Sequence, residues 1–144
     1  MDLCNALEFL NRTIEEQAKV PRTNFELAIT LKPSDELIGA VGLTKVNEFE
    51  GTGTIGYWLE EKHWRKGFMT EATNRLIEFA FNELNLRRLN AEAYTKNDAS
   101  NALLKKLGFQ FEGVKWKGHR SRATGEVHDC NFYGLLAENW PKKP

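Results

Sequence analysis

Along the first twenty residues, Leu3, Ala6, Leu7, Leu10, Ile14 and Ala18 recur at intervals of three and four, the spacing that places apolar side chains along one side of a helix. Pro21 closes that segment. From Phe25 to Leu31 the pattern changes to strict alternation, with Phe25, Leu27, Ile29 and Leu31 on one face and Glu26, Ala28 and Thr30 on the other, as in a strand covered on one side. A turn containing Pro33, Ser34 and Asp35 leads into a nearly continuous apolar run from Leu37 to Val46, the signature of a strand buried on both faces. A polar stretch, Asn47–Gly53, precedes a third strand, Thr54–Leu59, rich in β-branched and aromatic residues. These three segments read as an antiparallel meander.

The period then returns to four. Ala72, Leu76, Ala80 and Leu84, with Ile77 and Phe81 beside them, predict a long helix over 69–84. Arg88–Tyr94 reads as a strand. Asn97, Asp98 and Ser100 offer capping oxygens to a short helix with Leu103, Leu104 and Leu107 on its apolar side, and Gly108 suits a left-handed C-terminal cap. Strands at Phe109–Trp116 and about Glu126–Leu136 follow, separated by a basic loop. The order predicts an α+β fold, a mostly antiparallel sheet with helices on both faces. The strands flanking the long helix should be parallel neighbours, joined by that helix as a crossover.

At 144 residues, with 41% hydrophobic and 28% charged residues, the chain reads as one soluble globular domain, residues 1–144, with a core of its own. Lys plus Arg and Asp plus Glu both number 20, so no overall field draws it to nucleic acid or membrane and any anion site must be local. No apolar run approaches the roughly 20 residues of a membrane-spanning helix, and the start has no basic-then-apolar signal segment. The cytoplasm is therefore the expected location, with Cys4 and Cys130 as free thiols. His63, His119, His128 and the two cysteines show no zinc-binding spacing, so no metal is expected.

The junction between the third strand and the long helix reads Trp64-Arg65-Lys66-Gly67-Phe68-Met69-Thr70-Glu71-Ala72. A glycine there allows close approach of the backbone, the first helical amides lack internal partners, and the helix dipole places partial positive charge at the same point. A pyrophosphate fits these features. An ordinary glycine turn flanked by solvated cations fits them too.

The order of motifs resembles the GNAT superfamily of N-acetyltransferases, in particular the branch typified by the ribosomal-protein N-terminal acetyltransferases RimJ and RimL. The likeness is carried by Glu36-Leu37-Ile38-Gly39 with Leu43, by Ile55–Leu59, by Trp64–Ala72, and by Asn97-Asp98-Ala99-Ser100 with Lys106–Phe109 and Glu112-Gly113. The resemblance implies an acetyl-CoA-dependent transfer of an acetyl group to a primary amine, either a protein N-terminal α-amine or a small amine. It implies that Arg65, Lys66, Gly67, Phe68, Met69 and Thr70 hold the cofactor's pyrophosphate, that main-chain groups of Tyr57, Trp58 and Leu59 pair with pantetheine, and that Asn97 and Ser100 meet its far side. Asn97 as a helix cap and Ser100 as a first-turn residue are the plainer alternatives.

Met69 departs from the small residue usual in the family, so its side chain must point away from the phosphates. Leu104 stands where other branches carry a tyrosine acid, leaving Ser100, or a water it holds, as the donor to the departing thiolate. His119 stands where RimL-like enzymes carry a glutamate base, and a histidine with an ordinary pKa near 6.5 serves near neutrality. Glu92 and Tyr94 are the alternatives. The basic run Lys115–Arg122 reads as a solvated face or as a contact for an acidic acceptor or a ribose phosphate. Branch members usually begin with a strand and helix upstream of this pattern, so the resemblance predicts a fold without them and, through unpaired sheet edges, a homodimer. Two other classes remain open: a CoA-binding module with weak or no catalysis, and an interaction protein using the basic loop.

Overall fold

The computed structural model describes residues 22–140; the helix expected over 3–20, and Cys4, lie outside them. Six strands form one sheet in the order β1-β2-β3-β4-β6-β5. β1 (Phe25–Leu31), β2 (Glu36–Asn47) and β3 (Thr52–Leu59) make the expected meander. The long helix α1 (Phe68–Asn82) crosses to β4 (Arg88–Tyr94), which lies parallel to β3. The short helix α2 (Asp98–Lys106) leads to the antiparallel pair β5 (Gln110–Arg120) and β6 (Val127–Leu136). Every strand pairing except β3 with β4 is antiparallel.

The apolar periods place the core. On α1 the buried positions are Met69, Thr73, Leu76, Ile77, Ala80 and Phe81, while Ala72 is only half-buried, as is Leu84, which lies just past the end of the helix. The stripe is therefore rotated slightly from the four-residue row, toward Leu89, Ala91 and Ala93 of β4. Leu104 and Leu107 at the end of α2 join the same cluster, together with Val41, Leu43, Ile55, Tyr133 and Leu135. Among the described residues both α-helices pack on one face of the sheet. Gly108, at φ 98°, ends α2 in the left-handed cap its position predicted.

One expectation changes. The strand expected to stop at Trp116 continues to Arg120, and the basic loop shrinks to the turn between β5 and β6. Lys117, at φ 51°, forms a bulge that interrupts the ladder between Lys115 and His119 before pairing resumes at His119 with His128. Charged residues are at home on an edge strand, where they deter pairing with other chains, so the basic composition did not mark a loop.

Candidate active site

β3 and β4 pair only from Thr52–Arg88 to Ile55–Ala91. Beyond that point β3 stays on β2 as far as Leu59 opposite Gly39, and β4 stays on β6 as far as Tyr94 opposite Cys130. The two strands splay. Glu60 N donates to Ile38 O on the β2 side, and antiparallel main-chain groups alternate in direction. Trp58 therefore turns its amide and carbonyl to β2, whereas those of Tyr57 and Leu59 face the opening. The Trp64 indole already donates to the Leu59 carbonyl at 2.7 Å, which leaves that carbonyl one lone pair.

At the mouth of the splay is a cavity of about 340 Å³ lined by Ile55, Gly56, Tyr57, Glu92, Ala93, Tyr94, Asn97, Ser100, His119 and Cys130. Alternation along the strands assigns these side chains to opposite faces. Tyr57 shares a face with Ile55 and Leu59, which bury toward the helices, and its phenol meets the Ser100 hydroxyl at the start of α2. Glu92 and Tyr94 share the other face with Arg88 and Asn90. The Tyr94 phenol is hydrogen-bonded to His119 Nδ1 at 2.6 Å, and its ring stacks on His128 with centroids 4.3 Å apart. The opening is thus a slot through the sheet, with the Tyr57–Ser100 hydroxyl pair on one side and the Tyr94–His119 phenol–imidazole pair on the other.

Burial pushes the Tyr57 phenol up from its ordinary value, the Ser100 hydrogen bond partly offsets this, and Tyr133 adds to the rise. Tyr57 is thereby kept protonated and able to donate. The alignment of motifs implied only a main-chain role for this residue. Leu104, the position of the missing tyrosine acid, is fully buried in the core and outside the slot. Cys130 lies at the slot, a buried free thiol pushed up by desolvation and then by the Glu92 and Asp129 carboxylates, with Lys115 opposing.

The α2 N-terminus is fixed by a saturated amide. Asn101 donates from Nδ2 to the carbonyls of Tyr94 and Asn97, and its Oδ1 accepts from Asn131 Nδ2 and the Tyr133 hydroxyl. All four of its hydrogen-bonding positions are used. Asn97 caps α2 by accepting from the Ser100 amide at 3.1 Å, so the cap reading is correct, and no partner within the described residues takes the Asn97 side-chain NH2.

The glycine loop lies at the other end of the splay. A single 3-10 turn, Glu61–His63, leads to Trp64; Arg65 and Gly67 follow in left-handed conformations, at φ 62° and 82°. Gly67 is the α1 N-cap and has no side-chain oxygen to satisfy the helix amides. The first intrahelical bond runs from Glu71 N to Gly67 O, so the amides of Phe68, Met69 and Thr70 precede it. A Cβ at Gly67 would meet nothing within 4 Å, so the loop is open to a ligand. Arg65 and Lys66 are exposed beside it, Thr70 is half-buried, and Met69 is buried against Ile38 and Leu59. The Met69 side chain therefore leaves the loop clear. This geometry fits a pyrophosphate: convergent helix amides, an unblocked approach and two cations.

Comparison with known proteins gives the family. The GNAT acetyltransferase domain family matches residues 2–110. The chain belongs to it. An uncharacterized N-acetyltransferase of Bacillus licheniformis is 36% identical over 113 residues, covering 78% of this chain and 62% of that protein. Among solved GNAT structures, the ribosomal-protein-S5-alanine acetyltransferase of Vibrio fischeri matches 94% of this chain and 72% of its own at a TM-score of 0.82 and 26% identity. The microcin C7 self-immunity acetyltransferase MccE, in complex with acetyl-CoA and AMP, matches the same shares at a TM-score of 0.80 and 25% identity. The chain spans about three fifths of the length of the first curated relatives it matches. Within the described residues, no helix is long and apolar enough to cross a membrane.

Proposed function

We propose that this GNAT domain catalyses acetyl transfer from acetyl-CoA to a primary amine, with a protein N-terminal α-amine as the first class of acceptor and a small amine as the second. The slot carries the reading, because it places the Tyr57–Ser100 hydroxyl pair on one side and the Tyr94–His119 phenol–imidazole pair on the other side of a gap where β3 and β4 no longer pair. When bound, acetyl-CoA supplies a thioester. The amides of Phe68, Met69 and Thr70, with Arg65, Lys66 and Gly67, hold its pyrophosphate. Main-chain groups of Tyr57 and Leu59, and the Asn97 side-chain NH2, face the pantetheine; Trp58 forms the back of that edge.

A neutral amine is required for attack, and an α-amine, with an ordinary pKa near 7.7–8.0, is far more often neutral at pH 7.5 than a lysine near 10.4. In this reading Tyr94 takes the proton of the attacking nitrogen and passes its own to His119 Nδ1, and Glu92 lies at the mouth to orient the acceptor. As the nitrogen–carbon bond forms and the carbon–sulfur bond breaks, Ser100, supported by the buried Tyr57 phenol, donates to the departing sulfur. His119 returns its proton to solvent.

Two further expectations accompany this reading. Residues 1–144 are expected to act as one domain, and β1 and β5, the sheet edges among the described residues, support a homodimer. The test is release of free thiol from acetyl-CoA in the presence of N-terminal peptides, polyamines and other small amines. Turnover with α-amine peptides that His119→Gln and Tyr94→Phe both reduce supports the assignment. Tight acetyl-CoA binding without turnover on any amine would leave the alternative, a CoA-binding module.

A further inference from the structure

We propose that Glu36, Glu60 and His63 form a binding site for one divalent transition-metal ion, with zinc as the metal whose coordination chemistry fits best. The three residues come from separate places: Glu36 opens β2, Glu60 follows the last residue of β3, and His63 closes the 3-10 turn that leads into the glycine loop. Their potential ligand atoms all lie within 4.8 Å of one another. Zinc binds imidazole nitrogen and carboxylate oxygen at about 2.0–2.2 Å, with neighbouring ligands roughly 3.3 Å apart. Small movements of the side-chain tips close the site.

The second observation is the histidine itself. His63 is only 8% exposed, and both ring nitrogens are shielded from solvent without a hydrogen-bond partner. A buried imidazole lacking any partner is exceptional. Nε2 points to Glu60 Oε2 at 3.8 Å, too long for a hydrogen bond and open to an intervening ion. The cluster already attracts a cation: the Lys62 ammonium lies 3.4 Å from Glu36 and 3.6 Å from Glu60. One ammonium against two carboxylates leaves a negative surplus, and Lys62 is exposed enough to swing away. Two carboxylates and a neutral imidazole supply three ligands, leaving the fourth position to water.

Such an ion would fasten the turn between β3 and α1 to the start of β2. The His63 ring lies against Phe68, 6.1 Å between centroids, and the Phe68 amide is one of those facing the glycine loop. Coupling to acetyl-CoA affinity follows only if the function proposed above holds, whereas metal binding stands independently of it.

The test is calorimetric titration of metal-free wild-type protein with zinc chloride, without acetyl-CoA, followed by diffraction at the zinc edge. One site per chain is expected, with an anomalous peak between Glu36, Glu60 and His63. His63→Gln and the exposed Glu36→Gln should each weaken binding at least about tenfold, and Lys62→Met should strengthen it by removing the competing ammonium. Glu36→Gln keeps the test valid if His63→Gln fails to fold. Absence of binding, equal affinity in the variants, or a peak at His119 and His128 instead would overturn the proposal. A separate acetyl-CoA titration with and without zinc distinguishes the two readings: no acetyl-CoA binding removes the enzymatic one and leaves the metal site intact.

Discussion

Tyr57 and Ser100 depend on each other. The phenol is held in its neutral form by burial, and it shares a hydrogen bond with the Ser100 hydroxyl, so the two hydroxyls act as one unit. Removing either donor should therefore remove the same step. Tyr57→Phe and Ser100→Ala are each expected to lower kcat by about 100–10,000-fold, the range of a general acid, and the double variant should fall little further, as coupled partners do. Steady-state rates with matched acetyl-CoA binding measurements check this; additive losses would separate the two groups. The position of Ser100 beside the slot was anticipated by the family resemblance carried by Asn97–Ser100. The Tyr57 side chain was not, because its partner is 43 residues away and becomes a neighbour only when α2 packs over β3. His119 and Tyr94 were each visible as candidates, but the hydrogen bond joining them depends on the bulge at Lys117, which has no composition signal apart from a lone glycine nearby.

At the scale of elements, the glycine loop depends on one left-handed residue at the entrance to α1. Gly67→Ala meets no steric obstacle from neighbours, so its effect isolates the backbone: a side chain at φ 82° costs about 1 kcal/mol. The expected result is a modest fall in the thermal midpoint and a rise in KM for acetyl-CoA that exceeds any fall in kcat, measured on the same preparation. The elements themselves were largely legible. The alternation of Phe25–Leu31, the four-residue period of α1 and the cap residues around α2 all led to structures within one to three residues of their expected ends. β5 was misjudged because edge strands carry charge for reasons unrelated to turns. The splay of β3 and β4 has no local sequence signal; it arises where the crossover helix carries the chain away.

Across the whole molecule, the half of the sheet carrying His119 is joined to the rest through β4 and β6. Arg88 of β4 reaches past Gly134 of β6 to grip both oxygens of Glu112 on β5, while also donating to Asn90. Any side chain at Gly134 would collide with that pair. The Arg88 hydrogen bonds hold the Glu112 carboxyl below the ordinary glutamate range, against a smaller opposing effect of burial. A depressed carboxyl contributes stability that is present above its unfolded value and lost as pH falls through the folded one. Thermal midpoints recorded from neutral to acid pH should therefore drop in wild type across that window, and Glu112→Gln should start lower at neutral pH and show a flatter acid limb. Partial exposure keeps the effect small. Because the gap between β3 and β4 opens to both sides of the sheet, donor and acceptor can dock together from opposite directions without sharing an entrance. Under the proposed function the acetyl group needs no covalent stop on the protein, and the buried Cys130, its thiol pushed up by desolvation, offers none.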